Sequence, residues 1–184
     1  MPSAFPPCEV GRATPTFWLT PSMSVVDHLV HANLGYAASF PGARPRRPKL
    51  RLAVLACMDS RLDLFGALGL GIGDAHLIRN AGGIPTDDAL RSLALSQRAL
   101  GTREIVVIHH TDCGMDGFDD EAFRRELEAE SGARPPWRVD GFTDLYEDTR
   151  RSVQTVRECP WIPRRDEVRG LVFDVATAKI SEVS

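Results

Sequence analysis

Apolar positions along the chain recur with two different periods, and the switches between them mark out the elements. Val26, Leu29, Val30, Asn33, Leu34 and Ala37 fall on one stripe at helical spacing, with Ser24 standing where an N-cap belongs. The segment PGARPRRPKL breaks that period and leads to a first strand, Lys49 to Ala56. A short helix is expected around Leu62 to Leu68, then a glycine-rich loop into a second strand, AHLIRN. The loop AGGIPTDD ends in a Thr/Asp cap for the helix DALRSLALSQRALG, with Gly101 as its stop signal. REIVVIHH is a β-branched third strand. Two charged helices follow, Asp119 to Ser131 and Thr143 to Cys159, and EVRGLVFDVATAKISEV closes the chain as strand, tight turn and weaker strand. Strands alternating with helices predict an α/β fold: a mostly parallel central sheet with helices on both faces and a C-terminal antiparallel edge strand.

Length and composition narrow this picture. At 184 residues the chain suits one α/β domain with a sizeable core, and 43% hydrophobic with 26% charged residues is ordinary globular composition. A net charge of -3 gives no electrostatic reason to expect a nucleic-acid or membrane partner. No apolar run reaches the roughly 20 residues of a membrane span. Residues 1–22 carry five prolines, no helical period and no signal-peptide pattern, and read as a flexible extension. Met23 directly precedes the first helix and is an alternative start. The domain is therefore expected to run from 23 to 184. Four scattered cysteines, Cys8, Cys57, Cys113 and Cys159, do not make a disulfide framework. They suit a reducing, cytoplasmic setting, and Cys8 in the tail reads as an inert thiol.

The chemistry gathers at two strand ends. Strand one runs into Cys57, Asp59 and Arg61, and strand three into His109-His110-Thr111-Asp112-Cys113. Ligands of open α/β sheets collect outside the carboxyl ends of the strands, so neighbouring parallel strands would bring these groups to one edge. Cys57 with the H-x-x-C pair His110 and Cys113 makes a Cys₂His set, the donors of a catalytic zinc site with one position open. Successive strand side chains point to opposite faces, so only one of the adjacent histidines can join, and the spacing favours His110. Spacing alone leaves open that these are merely buried thiols beside a buried imidazole. His109 reads as a polar residue satisfied on the other face, and His28, His31 and His76 read as structural. Asp59 gripped by Arg61 would be a carboxylate held beside the metal, against the alternative of a surface ion pair worth little.

These same residues carry a family resemblance. CMDSR at 57–61, HLIRNAGG at 76–83 and HHTDCGM at 109–115 resemble the β-class carbonic anhydrases, most closely the compact bacterial type, over about 24–183. The resemblance implies one zinc ion per chain on Cys57, His110 and Cys113, and a catalytic dyad of Asp59 and Arg61. It implies a lyase that hydrates carbon dioxide reversibly to bicarbonate and a proton by zinc-bound hydroxide, zinc lowering the pKa of water from 15.7 to about 7. A homodimer or multiple of dimers is implied, with the helix of residues 23–40 packed on the partner subunit. Gly82 and Gly83 could offer backbone amides to a substrate oxygen, or simply permit a tight turn. The alternatives are a hydrolase of carbon disulfide or carbonyl sulfide on the same scaffold, and a zinc-binding module without turnover.

Overall fold

The computed structural model describes residues 24–183, which fall into two units, 24–43 and 44–183. The extension expected over 1–22 lies outside the described residues. The first unit is a helix, α1 (Val25–Ala38), started where the sequence placed it. Ser24 accepts from the Asp27 amide while the Asp27 carboxylate accepts from the Ser24 amide, a reciprocal cap that satisfies two otherwise orphaned donors. None of its residues is buried, and Val25, Val26, Leu29, Val30 and Leu34 stay about two-thirds exposed.

The second unit is built on a five-stranded sheet of order β2-β1-β3-β4-β5. Its strands are β1 (Leu52–Cys57), β2 (Ala75–Asn80), β3 (Glu104–His110), β4 (Val168–Phe173) and β5 (Ile180–Val183). The first four pair in parallel, and β5 returns antiparallel to β4. The helices are α2 (Leu64–Leu68), α3 (Asp87–Arg98), α4 (Asp120–Ser131) and α5 (Leu145–Glu158). Each begins on a side-chain cap, from Asp63, Thr86, Asp119 and Asp144 in turn. A 3-10 turn, Ala81–Gly83, joins β2 towards α3.

Boundaries differ from the expected ones where the backbone does something the pattern does not encode. Strand β1 begins at Leu52 rather than Lys49, because Arg51 sits at φ 55° and interrupts the extended run. Helix α3 ends at Arg98, three residues before the glycine read as its stop.

The alternation of β1 and β3 divides the core. Ala53, Leu55, Ile105 and Val107 pack with Ala89 and Leu93 of α3 and with Val153 and Val156 of α5. Helix α5 lies close on β4 because Gly170 has no side chain: a Cβ there would come within 2.9 Å of Val153. On the other face Val54, Ala56 and Ile108 meet Leu64 of α2, Leu62 and Phe142. That face is thus covered by one short helix and by loops, and it is the face towards which His110 points.

Candidate metal centre

Strand β1 ends at Cys57 and β3 ends at His110, side by side in the sheet, and the chain turning off β3 returns Cys113 to the same place. The sulfur atoms of Cys57 and Cys113 are 4.0 Å apart, and a donor atom from each of Cys57, His110 and Cys113 lies within 4.8 Å of the others. All three residues are buried. Among the described residues this is the one such cluster of metal-ligating groups.

Local bonding arms these donors. The Thr111 carbonyl lies 2.9 Å from Nδ1 of His110, and because a carbonyl only accepts, Nδ1 carries the proton. The lone pair is therefore on Nε2, which is buried with no hydrogen-bond partner. Hydrogen bonding from Cys113 draws the Cys57 thiol down to about 4 against the opposing effect of burial, with His110 and the amides of Asp59 and Gly82 assisting. The same contact, with burial, pushes Cys113 up. Burial disfavours a charged His110, but Cys57, Thr111 and Asp59 outweigh it and raise its pKa.

These residues fit a metal ion. A tetrahedral site with metal–sulfur bonds of about 2.3 Å sets its sulfurs roughly 3.8 Å apart, close to the spacing here. An orphaned, buried imidazole lone pair aimed at a pair of sulfurs is costly unless something binds it.

Asp59 stands beside the cluster without joining it. Its Oδ2 is 3.9 Å from His110 Nε2. Arg61 grips the carboxylate with two parallel bonds, Nε to Oδ1 at 3.0 Å and a terminal nitrogen to Oδ2 at 2.7 Å, and the Arg61 amide adds a third at 2.8 Å. Those bonds hold the carboxyl well below the usual carboxylate range. Arg61 also bonds Asp112, at 2.6 Å to its side chain and 2.7 Å to its carbonyl, so it ties the loop after β1 to the turn after β3.

The remaining histidines lie elsewhere. His109 points to the opposite face as expected, its Nδ1 3.2 Å from the buried carboxylate of Asp148 on α5, but neither ring nitrogen makes a hydrogen bond, so it is not the satisfied residue expected there. His76 is hydrogen-bonded to Ser96 at 2.8 Å, and Ser96 in turn to Thr102. His28 and His31 are on α1. Gly82 and Gly83 are buried at φ 76° and 70°, and a Cβ on Gly83 would sit 2.6 Å from the Cys57 amide nitrogen. Gly83 is thus required for close approach of the 3-10 turn to β1.

Two contributors escaped the sequence reading. Asp112, at φ 54°, gives Arg61 a second anchor. Arg79 of β2 donates to the carbonyls of Cys57, Asp59 and Leu62 at 2.9, 2.6 and 3.3 Å. Arg79 acts on main-chain atoms alone, which leave no side-chain pattern to read, and Asp112 reaches Arg61 from 51 residues away, through its carboxylate and its carbonyl.

Fold and site together define a class: an open α/β sheet carrying a Cys₂His centre, with a carboxylate–guanidinium pair, at the carboxyl ends of its inner strands. Residues 52–137 match the sequence profile of the carbonic anhydrase family. Beta-carbonic anhydrase 1 of Mycobacterium tuberculosis is 48% identical over 162 residues, spanning 88% of this chain and 99% of that one. A carbonic anhydrase structure from Streptococcus mutans superposes with a TM-score of 0.80 at 41% identity, covering 88% of this chain and 99% of its own. Carbon disulfide hydrolase of Acidithiobacillus thiooxidans is 37% identical over 151 residues, 71% of this chain and 75% of that protein. This chain belongs to the β-carbonic anhydrase family.

Proposed function

We propose that the protein is a carbonic anhydrase, hydrating carbon dioxide reversibly to bicarbonate and a proton, with zinc on Cys57, His110 and Cys113. The observation that carries this is the buried Cys₂His cluster with Asp59 fixed 3.9 Å from His110 Nε2 by Arg61. When bound, zinc supplies Lewis acidity that makes a water nucleophilic near neutral pH.

The chain's own residues do the rest. Cys57 and Cys113 offer sulfur donors, and the Thr111 carbonyl fixes the His110 tautomer so that Nε2 faces them. Asp59 is a hydrogen-bond acceptor only, because Arg61 keeps it ionised, and it orients the attacking oxygen by accepting its proton-side hydrogen bond. Arg61, anchored on Asp112, prevents the carboxylate from turning away. Carbon dioxide is uncharged and demands no ion pair, and the apolar surroundings of Cys57 and Cys113, with Leu62 and Phe142, lower the dielectric around the site.

The test is a stopped-flow hydration assay on zinc-loaded protein, run beside carbon disulfide hydrolysis. Activity with carbon dioxide, abolished in Asp59→Ala and Cys113→Ser, is the expected result. Turnover of carbon disulfide alone would transfer the reading to the hydrolases represented by the 37% identical relative.

Self-association as a homodimer or multiple of dimers belongs to the same proposal. It is supported by the unburied aliphatic residues of α1. Sedimentation should show dimers that survive removal of residues 1–22, whereas deletion through Phe40 should cause aggregation or unfolding. Free, buried Cys57, Cys113 and Cys159 support a cytoplasmic location, which cell fractionation tests. No helix among the described residues is long and apolar enough to cross a membrane.

A further inference from the structure

The segment from Cys57 to Leu62 carries a proposed ligand, Asp59 and Arg61, and its order is the condition for the geometry above. Two of its amides are used internally. The Arg61 amide bonds the Asp59 carboxylate at 2.8 Å, and the Leu62 amide bonds the Asp59 carbonyl at 3.1 Å. Three of its carbonyls, those of Cys57, Asp59 and Leu62, are also met from outside the segment. Arg79 lies on β2, opposite Ala56 in the parallel register, one residue before the Asn80 carbonyl that accepts from Met58 at 2.8 Å. From that edge its guanidinium reaches over the end of β1. Nε bonds the Cys57 carbonyl at 2.9 Å, one terminal nitrogen the Asp59 carbonyl at 2.6 Å, and the other the Leu62 carbonyl at 3.3 Å.

This use of an arginine is unusual in two ways. Every nitrogen of the guanidinium is spent on main-chain oxygens of one six-residue segment, and among the described residues no carboxylate pairs with it. Surface arginines more often sit in loose ion pairs that contribute little. A rigid planar fork holding three acceptors fixes their relative positions, which a point charge on a flexible stem does not do. The three carbonyls belong to Cys57, to Asp59, and to the residue that closes the turn after Arg61.

We propose that Arg79 is a positioning residue of the metal centre, clamping the backbone of residues 57–62 so that the Cys57 sulfur and the Asp59 carboxylate are held in register with His110 and Cys113. Arg61 orients the carboxylate, and Arg79 orients the chain from which that carboxylate hangs. Arg79 touches neither the donors nor the reacting atoms, so it acts through them.

The inference rests on the zinc-binding reading, and its test separates the two. Zinc-loaded native protein, Arg79→Gln and Arg79→Lys are mixed with a chromophoric chelator and the release of zinc is timed, with the exposed α3 variant Arg91→Gln as a control. The cobalt-substituted forms are compared by their visible absorption bands. Arg79→Gln should release zinc about 10–100-fold faster, the range for losing a group that supports a ligand. Its cobalt bands should shift, and kcat should fall within the same range with KM changed less than about twofold, because uncharged substrate never contacts Arg79. Arg79→Lys should lie between, one ammonium replacing a three-point grip. Release, spectrum and kcat at native values in Arg79→Gln would overturn the proposal even if that variant melts earlier. If Arg79→Gln does not fold, native-like release from Arg79→Lys overturns it instead. A native protein that takes up no zinc overturns the functional reading itself, and the chelator trace reveals this before any activity is measured.

Discussion

His109 and His110 are consecutive, equally buried and at the same depth of the sheet, yet they live in different chemistries. His110 faces the side covered by a short helix and loops, where two sulfurs and Asp59 approach it and its Nε2 has no partner. His109 faces the side covered by α3 and α5, where its neighbour is the carboxylate of Asp148. The difference teaches that loops, which can bring Cys113 and Asp59 close, make a reactive face, whereas a helix packed on a strand makes a structural one.

Substitutions along this divide should separate the two roles. The largest effect is expected from His110→Ala, which removes a donor outright. Zinc affinity should fall more than about 100-fold, beyond the cost of losing a supporting group, as read by chelator competition. Loss of metal in His109→Ala with retention in His110→Ala would reverse the comparison. Gly83→Ala comes next. It forces a Cβ to within 2.6 Å of the Cys57 nitrogen at a positive φ, and no rotamer relieves a clash with backbone. A cost of about 2–4 kcal/mol in chemical denaturation is expected.

His109→Ala should keep full zinc stoichiometry while losing about 1–3 kcal/mol of stability, because Asp148 is left buried without its neighbour. His109→Gln, which keeps a donor, should recover part of that loss. The smallest effect belongs to neither face. Asp88→Asn breaks an exposed pair with Arg91 on α3 and should change stability by less than about 0.5 kcal/mol, with metal affinity unchanged.

How far such contrasts are legible in the sequence depends on which atoms make them. Period and punctuation located the ten α-helices and strands among the described residues, since burial of β-branched runs and side-chain caps such as Ser24 and Thr86 are written in residue identity. The meeting of Cys57, His110 and Cys113 followed from the rule on strand ends together with alternation along β3. What stayed hidden is carried by main chain. The φ of Arg51 moved the start of β1, Gly83 was a matter of distance to a backbone nitrogen, and Arg79 bonds only carbonyls. None of these has a characteristic partner residue at a characteristic spacing. Asp148 was hidden for another reason: it is 39 residues from His109, on a helix whose rotation about its own axis no local pattern specifies.

The order β2-β1-β3-β4-β5 has a further consequence, on the scale of time. Both strands that end in donors are interior, each hydrogen-bonded along two sides, while the fraying edges belong to β2 and β5. Amide hydrogens in the middle of β1 and β3 therefore exchange with solvent through the rarest openings of the molecule, and those of β5 through frequent local ones. Donor groups mounted on the slowest-opening strands part company only when the fold itself does, so an ion held between them would have to leave through the loops that carry Asp59 and Cys113.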